Sequence, residues 1–209
     1  MSAERRLEGN GAGLLRERAL AKRVQGALER LYQLDRVADV GDYVRGAEAG
    51  EREALLVYEA DDGALEVSVR LPRLEAEADL DTMCQIIEGV SHFVYVVERA
   101  RAGREASQLE LEMQAEVDKW VVLGSALKAF DAAQSALLRA RLYERVAFMD
   151  APGTEVGDRY RVANDTANRF LRRVERDFLD GARFGEIRSA LRHFFELGQE
   201  GKLRLGRAA

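Results

Sequence analysis

At 209 residues the chain is long enough to bury a core of useful size, and its 47% hydrophobic content is that of a globular protein. A net charge of −5 excludes a protein that coats nucleic acid or membrane with its whole surface, and no run approaches the roughly 18 apolar residues of a membrane span. A single cysteine, Cys84, excludes an intrachain disulfide and a thiolate zinc site and fits a reducing cytoplasm, the expected location.

The charge is uneven. Residues 158–209 hold 12 basic against 8 acidic side chains, which leaves that part at +4 and the rest at −9. Only four of the 32 basic residues are lysines (Lys22, Lys119, Lys128 and Lys202). With so many Ala and Gly beside them, clusters of arginine arise by composition alone.

Residues 1–13 are rich in Glu, Arg and Gly and read as a disordered tail. From Leu14 to Leu34 the spacing turns helical, with Leu20, Val24, Leu28 and Leu31 as the stripe. Residues 35–53 read as a connector with room for a short helix. Residues 54–71 read as a β-hairpin around Asp62-Gly63, a pair suited to a two-residue turn. That turn sets Ala60 opposite Leu65, Tyr58 opposite Val67 and Leu56 opposite Val69. The apolar face so formed must cover a helix or pair with a second chain, because an isolated hairpin is marginal in water. Pro72 ends it.

The segment from Asp79 to Met149 reads as the organising core: two helices broken at Ala102-Gly103-Arg104. The first carries a stripe centred on Val90, from Met83 to Val97. The second starts near Glu105 and is expected to run as far as Met149, with a bend or break at Gly124-Ser125. Its stripe is Leu109, Met113, Val117, Trp120, Leu123 and Leu127. Ala126, Ala129, Ala132, Ala133 and Ala136 follow and favour close helix approach. After the turn at Asp150-Ala-Pro-Gly, Thr154 is the expected N-cap of a helix over residues 155–179. A further helix, Phe184 to Leu197, buries Ile187, Leu191, Phe194 and Phe195. The fold class is therefore mainly α (α+β): about five or six helices with one hairpin. Residues 14–197 form the expected single α-rich domain, and residues 198–209 a basic tail.

Four polar residues stand inside the core segment: Glu88, His92, Glu112 and Glu116. Glu88 and His92 are i and i+4, as are Glu112 and Glu116, so each pair shares a helix face. In an antiparallel pair turning near Gly103, His92 lies level with Glu116 and Glu88 with Trp120. Di-iron carboxylate bundles use Glu-x-x-His on two helices; here the spacing is Glu-x-x-x-His. A single-ion site from Glu88, His92 and Glu116, with Glu112 nearby, is the metal reading. The structural reading is a buried His–Glu hydrogen bond, with Lys119 neutralising Glu116. His92 points away from the Val90 stripe, so a buried cluster requires a third element on its side.

Two further sets lie downstream. Arg161, Asn164, Asn168 and Arg172 recur along one edge of the helix 155–179 and form a candidate interaction strip for phosphates or bases. Acidic neighbours, Asp158 and Asp165 among them, make a salt-bridged surface the alternative. Arg188 and His193 have the Arg-x4-His spacing, and the six residues Arg188-Ser-Ala-Leu-Arg-His193 resemble the motif of HEPN-type ribonucleases. Ser189 stands where that family usually carries Asn, Asp or His. The resemblance implies metal-independent RNA cleavage, with His193 moving protons and Arg188 stabilising phosphorane charge. No phosphate loop and no Ser/His/Asp set is visible. The leading expectation is a non-enzymatic interaction or regulatory protein with a protein partner, a homodimer being one form, and with no cofactor or membrane contact. The alternatives are a metal-binding or RNA-cleaving helical enzyme and a nucleic-acid-binding module.

Overall fold

A computed structural model describes residues 14–36, 38–48, 51–59, 65–75, 79–179 and 181–208. The expected tail 1–13 and the turn at Asp62-Gly63 lie outside them. The protein is mainly α with a small mixed sheet, as composition and periodicity indicate.

Helix α1 spans Leu15–Tyr32. Ala21, Val24, Leu28 and Tyr32 are its buried apolar positions, while Leu20 and Leu31 are only half-buried. The face is turned because Gln25 is also buried: its side-chain oxygen accepts from the Val40 N–H (2.9 Å) and its amide donates to the Ala38 carbonyl (2.6 Å). Those bonds dock the connector, which forms the short helix α2 (Val40–Tyr43), capped by Asp39, and strand β1 (Val44–Gly46).

Strands β2 (Ala54–Glu59) and β3 (Leu65–Leu71) pair antiparallel, and β1 adds to β3 in parallel, giving the order β1-β3-β2. The hairpin is therefore found, but its register is one residue off the expected one. Val57 pairs with Val67 and Leu55 with Val69, in place of Tyr58 with Val67 and Leu56 with Val69. A slip of one exchanges the two faces of β2. Leu55 and Val57 now share the face of Val67, Val69 and Leu71.

That face covers α3 (Leu80–Arg101), whose N-cap Asp79 accepts from the Thr82 N–H at 2.7 Å. Gly89 permits the contact: a Cβ there would stand 2.9 Å from Leu71 Cδ2 and 3.4 Å from Val69 Cγ1. With the sheet on one side and helices on the others, residues 85–95 of α3 are all buried, including Glu88, Ser91 and His92.

Helix α4 (Gln108–Ser125) starts with the capping box Ser107–Glu110. The helix expected to reach Met149 is instead α4, a break, and α5 (Ala132–Arg139), the last continued by a π-helical turn over Ala140–Glu144. Phe130 is the reason. Its ring lies 2.8 Å from where a Gly124 Cβ would stand, and it meets Trp120 edge-on at 5.2 Å. Ala126, Ala129 and Ala133, in and after the break, are consequently exposed.

Helix α6 (Glu155–Val174) is capped by Thr154 as expected, ends in a π-helical turn over Glu175–Leu179, and packs across α4. Helix α7 (Phe184–Glu196) buries Ile187, Leu191, Phe194 and Phe195. Residues 198–209, expected as a basic tail, carry helix α8 (Gln199–Arg207). Lys202 holds it: fully buried, it donates to Gln114 Oε1 (2.6 Å) and the Phe194 carbonyl (2.7 Å). Gly206 presses on α6, where a Cβ would stand 3.0 Å from Thr166 Cα and 3.2 Å from its carbonyl oxygen. Backbone cannot yield as a flexible side chain can. Gly206→Val should therefore cost about 1–3 kcal/mol of stability by urea denaturation; an unchanged midpoint would contradict this packing.

Candidate metal centre

Glu88 and His92 come from adjacent turns of α3, and Glu112 from the facing turn of α4. One ligand atom from each lies within 4.8 Å of the others, and all three side chains are buried. His92 Nε2 is 3.7 Å from Glu112 Oε2, too far for a hydrogen bond. The expected His–Glu bond is thus not made. The expected level is corrected too: Glu112, one turn earlier on α4, faces His92, while Glu116 folds onto Lys119 at 2.8 Å. The ammonium of Lys119 also meets Glu88 at 2.7 Å.

The third element that a buried His92 requires is supplied twice. Glu53, just before β2, hydrogen-bonds Glu88 from the sheet side. Arg159 arrives from the first turns of α6, with its Nε 3.9 Å from Glu112 Oε1. Neither was among the expected site residues. Glu53 sits in a connector without periodicity, and Arg159 is one arginine among many on a charged helix.

The electrostatics follow from burial. Four carboxyl groups (Glu53, Glu88, Glu112 and Glu116) face two fixed cations, Lys119 and Arg159. Arg52, nearer the surface, is shared with Asp81 at 3.7 Å. Burial pushes the Glu53 carboxyl up to about 9, and the Glu88 charge beside it adds to the rise. Burial, again with Glu88, pushes Glu112 up to about 8. Burial works against the Glu88 charge as well, but Lys119, His92 and a hydrogen bond from Glu53 together outweigh it and hold that carboxyl at about 2. Burial drives His92 down to about 4, against the pull of Glu88 and of a hydrogen bond to the Leu111 backbone. His92 is therefore a neutral imidazole at pH 7. Its Nε2 is buried and has no hydrogen-bond partner among the described residues. A neutral imidazole with an unpartnered nitrogen is the form in which histidine ligates a metal.

The cluster opens on a cleft of about 620 Å³, within the range of small-molecule sites. Glu53, His92, Glu112 and Arg159 supply polar lining, and Leu55, Val57, Val96 and Leu111 supply apolar lining.

A second buried polar group lies nearby. Asp118 accepts hydrogen bonds from Tyr32, from Ser91 (2.6 Å) and from Gln114 (3.0 Å), and Gln114 in turn accepts from Lys202. It ties α1, α3, α4 and α8 together. Burial raises Asp118 to about 6 and lowers Lys202 well below the usual lysine range. Every member is bonded within the group, so its role is structural.

The interaction strip does not present a free basic edge. Asn164 is buried, and Asn168 accepts from Arg139 at 2.8 Å. Arg161 donates to the Gly157 and Asp150 carbonyls (2.8 and 2.9 Å), and Arg172 pairs with Glu144 at 3.3 Å. Arg188 and His193 are both exposed on α7. A five-residue separation sets them about 140° apart around the helix, and the structure does not bring them to one site. A scan against protein-family models finds no match for the chain, and comparisons with curated proteins and with solved structures find none either.

Proposed function

We propose that the protein binds one divalent first-row transition-metal ion through Glu88, His92 and Glu112 and presents it to the adjoining cleft. The observation that carries this reading is His92 Nε2: buried, without a hydrogen-bond partner among the described residues, and grouped with two carboxylates within 4.8 Å. Two carboxylates and one imidazole make a borderline N/O donor set. It suits Zn²⁺, Fe²⁺, Co²⁺ or Mn²⁺ better than Ca²⁺ or Cu⁺. Three protein ligands leave coordination positions open for water or a ligand, the arrangement of a working rather than a purely structural ion.

Charge supports the same reading. Glu88 is ionised beside Lys119, and Glu112 would give up its proton to the ion, so the two carboxylate ligands would present two negative charges to one divalent ion. Lys119 then orients Glu88 from behind, as outer-shell partners do.

The test is metal content. Metal-free protein dialysed against each of the four ions and then against buffer should retain about one ion per chain, measured by mass spectrometry. His92→Ala and Glu112→Gln should each lower the affinity about ten-fold or more. Retention of no ion by the wild-type protein ends this reading.

A further inference from the structure

The cleft beside the ion site has a composition of its own. Its ionisable lining is Arg99, Arg104, Arg159, Glu53, Glu105 and Glu112, three basic and three acidic side chains. A divalent ion at Glu88, His92 and Glu112 would make this lining more positive. A cleft with low-dielectric walls concentrates such a field and draws in anions.

Arg159 is the cation placed to receive one. Its side chain is largely buried, and its Nε has no hydrogen-bond partner among the described residues. Among the described residues, the acids that approach it, Glu112 at 3.9 Å and the exposed Glu155 at 4.0 Å, stand beyond hydrogen-bond distance. A guanidinium offers a planar fork of donors that matches the two oxygens of a carboxylate. Around this polar group the wall is hydrocarbon: Leu55 and Val57 from β2, Val96 from α3, and Leu111 from α4. The β2 register described above is what turns Leu55 and Val57 to this side of the strand.

We propose that the cleft binds a small amphipathic carboxylate, its headgroup held between Arg159 and the metal ion and its hydrocarbon part against Leu55, Val57 and Val96. The ion's share in holding the headgroup rests on the metal reading above; the share of Arg159 and the apolar wall does not.

Octanoate, acetate and 1-octanol serve as probes, titrated calorimetrically into cobalt-loaded and metal-free protein, with cobalt content measured separately. Octanoate should bind the cobalt protein about ten-fold or more tighter than either control and shift the visible absorption of the cobalt. Arg159→Gln should weaken octanoate about ten-fold or more. Val57→Trp, at an exposed position where folding is not at stake, should do the same by filling the cleft, with cobalt content unchanged. Acetate or 1-octanol binding as well as octanoate overturns the proposal. So does a protein with stoichiometric cobalt that ignores octanoate; the metal reading survives that result. If no cobalt is retained but octanoate binds in an Arg159-dependent way, the metal reading falls and the carboxylate site stands. If neither binds, both fall.

Discussion

Lys119→Met will destabilise the metal-free protein by about 3–5 kcal/mol, the cost of leaving buried carboxylates without their cation. The ammonium lies 2.7 Å from Glu88 and 2.8 Å from Glu116, and all three side chains are largely shielded from water. Its charge is held firmly: burial opposes it, but the two glutamates outweigh burial and raise its pKa well above the lysine value. Methionine preserves the volume of the stem, so packing loss contributes little. Adding Glu116→Gln to Lys119→Met should recover a large part of the loss, because one of the stranded charges disappears with it. Urea denaturation of the single and double variants measures both effects. A change below about 1 kcal/mol for Lys119→Met would show that water reaches the pair and screens it.

Glu112→Gln should act in the opposite direction, stabilising the metal-free protein by about 3 kcal/mol at pH 7 while abolishing metal retention. The Glu112 carboxyl stands at about 8 in the fold, against an ordinary value of 4.5. The folded chain therefore holds a proton that the unfolded chain has released. Its contribution is complete below pH 4.5 and is lost as pH rises toward 8. The slope between those limits approaches 1.4 kcal/mol per pH unit. Glutamine has no proton to lose, so the gap between variant and wild type should widen from pH 5 to pH 8. Lys202, whose amine burial pushes well below its usual range, shifts stability the other way with pH, but equally in both proteins. The difference isolates Glu112. A gap that stays constant across that range would remove the buried-carboxyl account. A substitution that strengthens the fold while ending metal binding is the signature of a position kept for function.

Much of this arrangement is written in the sequence. The i, i+4 pair Glu88 and His92 and the facing Glu112 are visible as polar residues in apolar surroundings, and the antiparallel pairing of their helices follows from the break at Gly103. The partners that close the site are not. Glu53 reaches Glu88 only because the sheet packs on Gly89, and that contact depends on a strand register that period-two alternation alone does not fix. Arg159 reaches Glu112 only because α6 crosses α4, a long-range fact that local periodicity does not encode. Helix α8 escapes for a different reason. Gly201 and Gly206 weaken its helical signal, and its anchor, Lys202, belongs to the residue type least expected in a core. The break after α4 is legible at Gly124-Ser125, whereas the ring of Phe130 that enforces it is not. The polar strip on α6 misled because Asn164 and Asn168 look like surface residues until their neighbours are seen.

On the proposed metal reading, the position of Lys119 also limits the site to one ion. A dinuclear site needs carboxylates that bridge, and Glu88 with Glu116 is the pair placed to do so. The ammonium already stands between them, in contact with an oxygen of each. It is a permanent organic counter-ion where a second inorganic one would sit. On that reading, exchanging it for a neutral side chain would leave room for a second ion between Glu88 and Glu116.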